Sequence, residues 1–173
     1  MRQLIGALIA ATALSLALPA AAQQQAPTFG HEVSLYGIWE DQSEPADFER
    51  TDVFLRYGRY FRPQFVGTVG FQRSRTEAAG SDFALTAATV GAKYYFSPPR
   101  GNAIVPFVDG AIGVAWTRAN GNDDTDFTWE FGGGVSWFFT PATSFDAGLR
   151  LFQTATEIET KGTRLFVGIT TRF

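Results

Sequence analysis

The sequence predicts an all-β fold, an eight-stranded antiparallel up-and-down transmembrane β-barrel preceded by a cleavable signal peptide. Three observations predict it: an export signal at the start, a hydrophobic period of two from His31 to Phe173, and connections that alternate between tight and wide.

The export signal is "MRQLIGALIAATALSLALPAAAQQQ". One cation, Arg2, precedes an unbroken small and apolar run from Leu4 to Ala22, and Ala20-Ala21-Ala22 before Gln23 supplies a small-residue cleavage site. The run is short for a helical span, and Gln23 to Pro27 would end a core helix that has no partner. Residues 1–22 are therefore expected to be the signal peptide and residues 23–173 a single domain. The signal holds one of the 14 basic residues and none of the 17 acids, so the remainder is more acidic than the formal −3 of the whole chain. That balance argues against a nucleic-acid partner. Without cysteine, an exported chain must be held by something other than disulfides. No later apolar run is long enough for a transmembrane helix.

From His31 onward, alternate residues share a face. In "EVSLYGIW" Val33, Leu35, Gly37 and Trp39 oppose Glu32, Ser34 and Tyr36. The second strand sets Val53, Leu55, Tyr57 and Phe61 against Arg56, and the third sets Phe65, Gly67, Val69 and Phe71 against Gln64, Thr68, Gly70 and Gln72. In the fourth, Ala88, Val90, Ala92, Tyr94 and Phe96 oppose Thr89, Gly91, Lys93 and Tyr95. In the fifth, Val108, Gly110, Ile112, Val114 and Trp116 oppose Asp109, Ala111, Gly113 and Ala115. The sixth is the clearest, with Phe127, Trp129, Phe131, Gly133, Val135, Trp137 and Phe139 against Thr128, Glu130, Gly132, Gly134 and Ser136. The seventh sets Phe145, Ala147, Leu149 and Leu151 against Asp146, Gly148, Arg150 and Thr154, and the eighth sets Leu165, Val167, Ile169 and Phe173 against Arg164, Gly168, Thr170 and Arg172. Each is expected to hold about ten residues, enough to cross a bilayer at a tilt.

Tight connections, Arg62-Pro63-Gln64, Thr140-Pro141-Ala142-Thr143 and the longer "SPPRGNA", follow even strands, while wider polar ones, "DQSEPADFER", "RTEAAGSD", "RANGNDDTD" and "EIETKG", follow odd strands. Short on one side and long on the other is the pattern of barrels in the outer membrane. Period two alone leaves open a lipocalin-like barrel or a β-sandwich, each with its apolar face inside. Three features decide. The second face combines glycines with Glu32, Arg56, Lys93, Asp109, Glu130, Asp146, Arg150, Arg164 and Arg172, which suits a narrow self-satisfying lumen. Trp39, Phe71, Trp116 and Trp129 fall at one end of their strands and Phe61, Phe65, Tyr94, Phe96, Trp137, Phe139, Phe145 and Phe173 at the other, as two interfacial girdles require. The last strand, "TRLFVGITTRF", carries Gly168, Ile169 and Phe173 in a pattern similar to the recognition signal of bacterial outer-membrane barrels, from which Thr171 and Phe166 depart.

Taken together, the chain from residue 29 resembles the small eight-stranded outer-membrane β-barrels, the OmpX-like and OmpA-transmembrane-like group, with "VGAKYYF" and "VPFVDGAIGVAW" resembling its fourth and fifth strands. The resemblance implies a bacterial outer-membrane location, a lipid bilayer and lipopolysaccharide as surroundings, and outer-membrane assembly machinery reading the closing strand through Gly168, Ile169 and Phe173. A host or extracellular ligand at the loops and a monomeric state also fit. Three roles follow: a structural or adhesive surface barrel first, a narrow pore second, a lipid A-modifying enzyme third.

Chemistry is sparse. The single histidine, His31, shares "HEVS" with Ser34, but the two have opposite parity, and the paired His and Ser of the lipid A deacylases on a late strand are absent. Asp123, Asp124 and Asp126 lack the spacing of a calcium loop, so no metal or cofactor is expected. Eight strands enclose a bore that side chains just fill. Inward Arg56, Lys93, Arg150 and Arg164 are expected to balance Glu32, Asp109, Glu130 and Asp146. Counting across the turns pairs Lys93 with Asp109 and Glu130 with Arg150, and closure of the first strand on the eighth pairs Glu32 with Arg172 and Glu40 with Arg164. Arg73 and Arg118 share the parity of Phe71 and Trp116, so they are expected to point outward beyond the extracellular girdle, toward lipid A phosphates.

Overall fold

Each strand sends alternate side chains to opposite sides, and in the computed structural model the apolar set points out. The structure describes residues 29–44, 48–78, 81–99, 101, 103–119, 122–155 and 160–173. The expected signal peptide, residues 1–22, and its boundary lie outside them. Eight strands follow one another: β1 (His31–Glu44), β2 (Phe48–Arg62), β3 (Phe65–Ala78), β4 (Ser81–Tyr95), β5 (Ile104–Ala119), β6 (Asn122–Phe138), β7 (Thr143–Ala155) and β8 (Thr160–Arg172). Each pairs antiparallel with the next and β8 pairs with β1, closing a barrel with no free edge.

The strands hold 13 to 17 residues rather than about ten. Most of what reads as wide polar connection in the sequence is ladder: pairing continues to Gln42 with Phe48, Ala78 with Ser81, Ala119 with Asn122 and Thr154 with Thr160. In these stretches the sequence no longer alternates, but backbone pairing does not depend on apolar side chains. The barrel wall therefore rises past the apolar band as a polar collar.

Within the band the usual order of a soluble protein is inverted. Leu35, Val69, Val90, Ile112, Phe131 and Ile169 are about half exposed, while Arg150, Lys93 and Asp146 are at most 1% exposed. Lipid, not water, meets the outer face. The tight turns are tied down at the other end: Tyr95 donates its backbone N–H to Gln64, Phe138 to Ala103 and Arg172 to Ala142. Above them a cluster of Val66, Tyr95, Val105, Phe107 and Phe138 plugs the base of the bore, and Tyr36, Phe54 and Phe166 continue it upward. The inward face is thus richer in aromatics than the glycine and charge pattern suggests.

Candidate functional site

A bore lined from eight strands brings together residues far apart in sequence, and its polar groups must satisfy one another because water is largely excluded. Five buried acids, Glu32, Asp52, Asp109, Glu130 and Asp146, share it with five buried cations, Arg56, Lys93, Arg150, Arg164 and Arg172. Among the described residues these buried charges cancel.

At the base, Glu32 and Arg172 face each other across the β1–β8 ladder, with 3.5 Å between Oε2 and Nε. Two tyrosines stitch them together. Tyr60 donates to Glu32 at 2.7 Å and accepts from Arg172 Nε at 2.9 Å, and Tyr95 donates to Glu32 at 3.2 Å and accepts from Arg172 Nη2 at 2.8 Å. Above this lies Lys93. It is directly across the ladder from Asp109, but the expected pair does not form; its ammonium donates to Asp146 at 3.0 Å and lies 4.0 Å from Glu32. The Asp109 carboxylate is already taken by two guanidinium groups. Arg56 Nη1 donates to it at 2.5 Å and Arg150 reaches it through Nε at 3.1 Å and Nη2 at 2.6 Å. The planar fork of arginine matches a carboxylate with two parallel bonds, while lysine's single charge on a flexible stem can cross the bore instead. Asp146 also accepts from Ser144 at 2.7 Å and Thr170 at 2.8 Å.

Glu130 completes the upper layer. It accepts from Arg56 at 2.7 Å and Arg164 at 3.4 Å, and stands 4.0 Å from Arg150, the partner expected from the turn count. Glu40 is directly across from Arg164 in the β1–β8 ladder, and its side chain lies outside the described residues. Each buried cation also rests over an aromatic ring: Arg150 over Phe166 and Arg164 over Phe152 at 3.9 Å, Lys93 over Phe107 at 4.1 Å, Arg172 over Phe138 at 4.2 Å and Arg56 over Phe54 at 5.0 Å. Among the described lumen residues, an internal space of about 10 Å³ beside Gln72, Thr128, Thr154 and Arg164 has room for about one water.

Outside the bore, Arg73 and Arg118 are exposed on the outer face, in line with Phe71 and Trp116. Ile169 and Phe173 are outward at 53% and 62% exposed, and Gly168 is approached by the Leu35 carbonyl and the Tyr36 ring. His31 faces outward while Ser34 is buried inward on Thr170 at 2.7 Å, so the two do not meet. Asp124 is exposed and Asp126 half-buried, and among the described residues no cluster of three or more His, Cys, Asp or Glu could hold a metal ion. The tyrosine bridges and cross-bore partners have no signal in the sequence, because parity assigns a side chain to the lumen but not to a partner across it.

A family model described as outer membrane protein beta-barrel domain matches residues 8–173. No curated protein sequence matches this one. Among solved structures, Neisserial surface protein A superimposes with a TM-score of 0.67 at 18% identity, covering 84% of this chain and 97% of that one. Ail, the attachment invasion locus protein of Yersinia pestis, gives 0.54 at 16% identity over 84% of this chain and all of the other. The outer membrane enzyme PagL gives 0.50 at 15% identity over 78% of this chain and 97% of that one. At these identities the likeness is one of fold.

Proposed function

Because the chain belongs to the outer membrane protein beta-barrel domain family, we propose that it is a sealed surface barrel whose role is structural or adhesive, played out at the polar collar above the outer leaflet. The carrying observation is the aromatic-backed ion-pair lattice in which five buried cations and five buried acids of the described residues cross the bore. Such a lumen suits a wall or a platform better than a pathway. Ail, one fold neighbour, has been crystallised with a heparin analogue, sucrose octasulfate; a ligand at the collar of this barrel is in keeping with that. Planar-bilayer recording tests the sealed lumen. No steady conductance above the lipid background is expected from the wild-type protein, and a stable open level would establish the pore reading instead. The enzyme reading lacks a nucleophile beside its base, since His31 and Ser34 face opposite ways; an altered lipid A mass in cells carrying the protein would restore it.

Lipopolysaccharide is the partner we assign to Arg73 and Arg118, outward beyond the extracellular girdle. A guanidinium binds a phosphate through two charge-assisted bonds. The double variant Arg73→Gln with Arg118→Gln should lose most of the stabilisation that added lipopolysaccharide gives the refolded barrel, with little change in neutral detergent. If mutant and wild type gain equally, the two arginines merely snorkel to water.

A further inference from the structure

Among the described residues the buried inward cations are accompanied by acids, but the outward Arg59 is not. Arg59 lies on the outer face of β2 between Tyr57, 41% exposed, and Phe61, 64% exposed, two residues inside the periplasmic girdle. It is itself exposed, and among the described residues it has neither an ion pair nor a hydrogen bond. Its ladder neighbours are His31 on β1 and Gly67 on β3. Gly67 offers no side chain, and the Phe61 ring lies over it: an added Cβ would stand 2.6 Å from Phe61 Cε2. No carboxylate flanks Arg59 in either ladder.

The His31 side is built differently. Its ring is stacked against Tyr57, with centroids 5.6 Å apart, and against Phe173, 5.9 Å apart, and Nδ1 shares a 2.5 Å hydrogen bond with the Tyr57 hydroxyl. This fixes the imidazole and leaves Nε2 for another partner. Directly opposed residues on one face of a ladder have Cβ atoms about 5 Å apart, so the His31 and Arg59 side chains leave the wall as neighbours, close enough for one anion to reach both. A bare guanidinium in an apolar face needs an anion that arrives with the membrane.

We propose that Arg59, with His31 beside it, binds the phosphate of a phospholipid in the periplasmic leaflet. The guanidinium takes two phosphate oxygens through its fork and His31 Nε2 completes the contact, while the acyl chains run along Leu55 and Val69 on the lipid face. Tight turns mark this end as periplasmic, and that leaflet supplies phosphodiester headgroups where the outer one supplies lipopolysaccharide.

The test is native mass spectrometry of the refolded barrel in neutral detergent, titrated with dilauroyl phosphatidylglycerol and separately with a digalactosyl diacylglycerol, which has no phosphate. Arg59→Gln removes a charge from the lipid face and should fold, which heat-modifiable migration on a gel checks. It should weaken phosphatidylglycerol binding about tenfold. Arg59→Lys should keep most of the affinity, and Arg62→Gln, at the exposed end of β2, all of it. Undiminished binding by Arg59→Gln, or equal binding of the galactolipid by wild type, would overturn the proposal. Displacement of the lipid by millimolar inorganic phosphate would assign the site to free phosphate and overturn the lipid reading too.

Discussion

Asp109→Asn should lower the unfolding free energy of the barrel by about 3–5 kcal/mol, the largest loss expected from any isosteric change in the lumen. Asp109 is 3% exposed and accepts from both Arg56 and Arg150. The amide keeps the volume but cannot neutralise two guanidinium groups, and among the described residues Glu130 would remain as the carboxylate near Arg56 and Arg150. Both cations are too enclosed to turn to water, so the loss is that of uncompensated buried charge, well above the value of a surface pair. Urea titration of the protein refolded into lipid vesicles measures it. A shift below about 1 kcal/mol would mean that water screens the layer as it does a surface pair.

Gly132→Ala should be nearly as damaging, at about 3 kcal/mol, the upper end for overpacking, and should reduce the fraction that folds at all. Gly132 sits across the β6–β7 ladder from Arg150. A methyl there would run into the Leu149 carbonyl oxygen and come within 2.7 Å of Arg150 Cγ, so it forces apart backbone that cannot move without opening the wall. Gly37→Ala is the matched comparison. Its added Cβ would lie 3.9 Å from the Val167 carbonyl oxygen, an ordinary contact on the lipid side, and no loss is expected. Heat-modifiable migration reports both folded fractions, and equal folding of the two variants would refute the argument from close approach.

These two sites also show where sequence reasoning reaches and where it stops. Parity identifies Asp109 and Gly132 as inward, and turn counting puts Lys93 across from Asp109, the register the ladder has. What the sequence cannot convey is the third dimension of a closed bore: Lys93 reaches Asp146, 53 positions away, because two arginines from other strands reach Asp109 first. The same blindness hid Tyr60 and Tyr95 as bridges between Glu32 and Arg172. The strand ends lie beyond the alternating stretches for a different reason. Alternation reports the change from lipid to lumen across a strand, so it fades at the membrane surface although the ladder continues to Glu44 and Ala78. Arg59 carries the parity of the lipid face in the sequence, but only the ladder shows it flanked by His31 and Gly67.

The lattice in the bore also governs the order of events during folding. Its bonds join residues far apart along the chain: Arg56 to Asp109 spans 53 positions, Tyr36 to Asp146 spans 110, Arg172 to Tyr60 spans 112 and Ser34 to Thr170 spans 136. Hairpins can form one by one, but none of them holds both halves of these contacts. An unclosed sheet curling in the bilayer keeps its arginines and carboxylates apart, each facing hydrocarbon or a wet gap, until β1 meets β8. Neutralisation thus arrives late and nearly all at once. The transition is therefore steep in both directions: closure is slow to begin because so many distant contacts must be brought together, and reopening is slow because no single strand can leave without stranding charge.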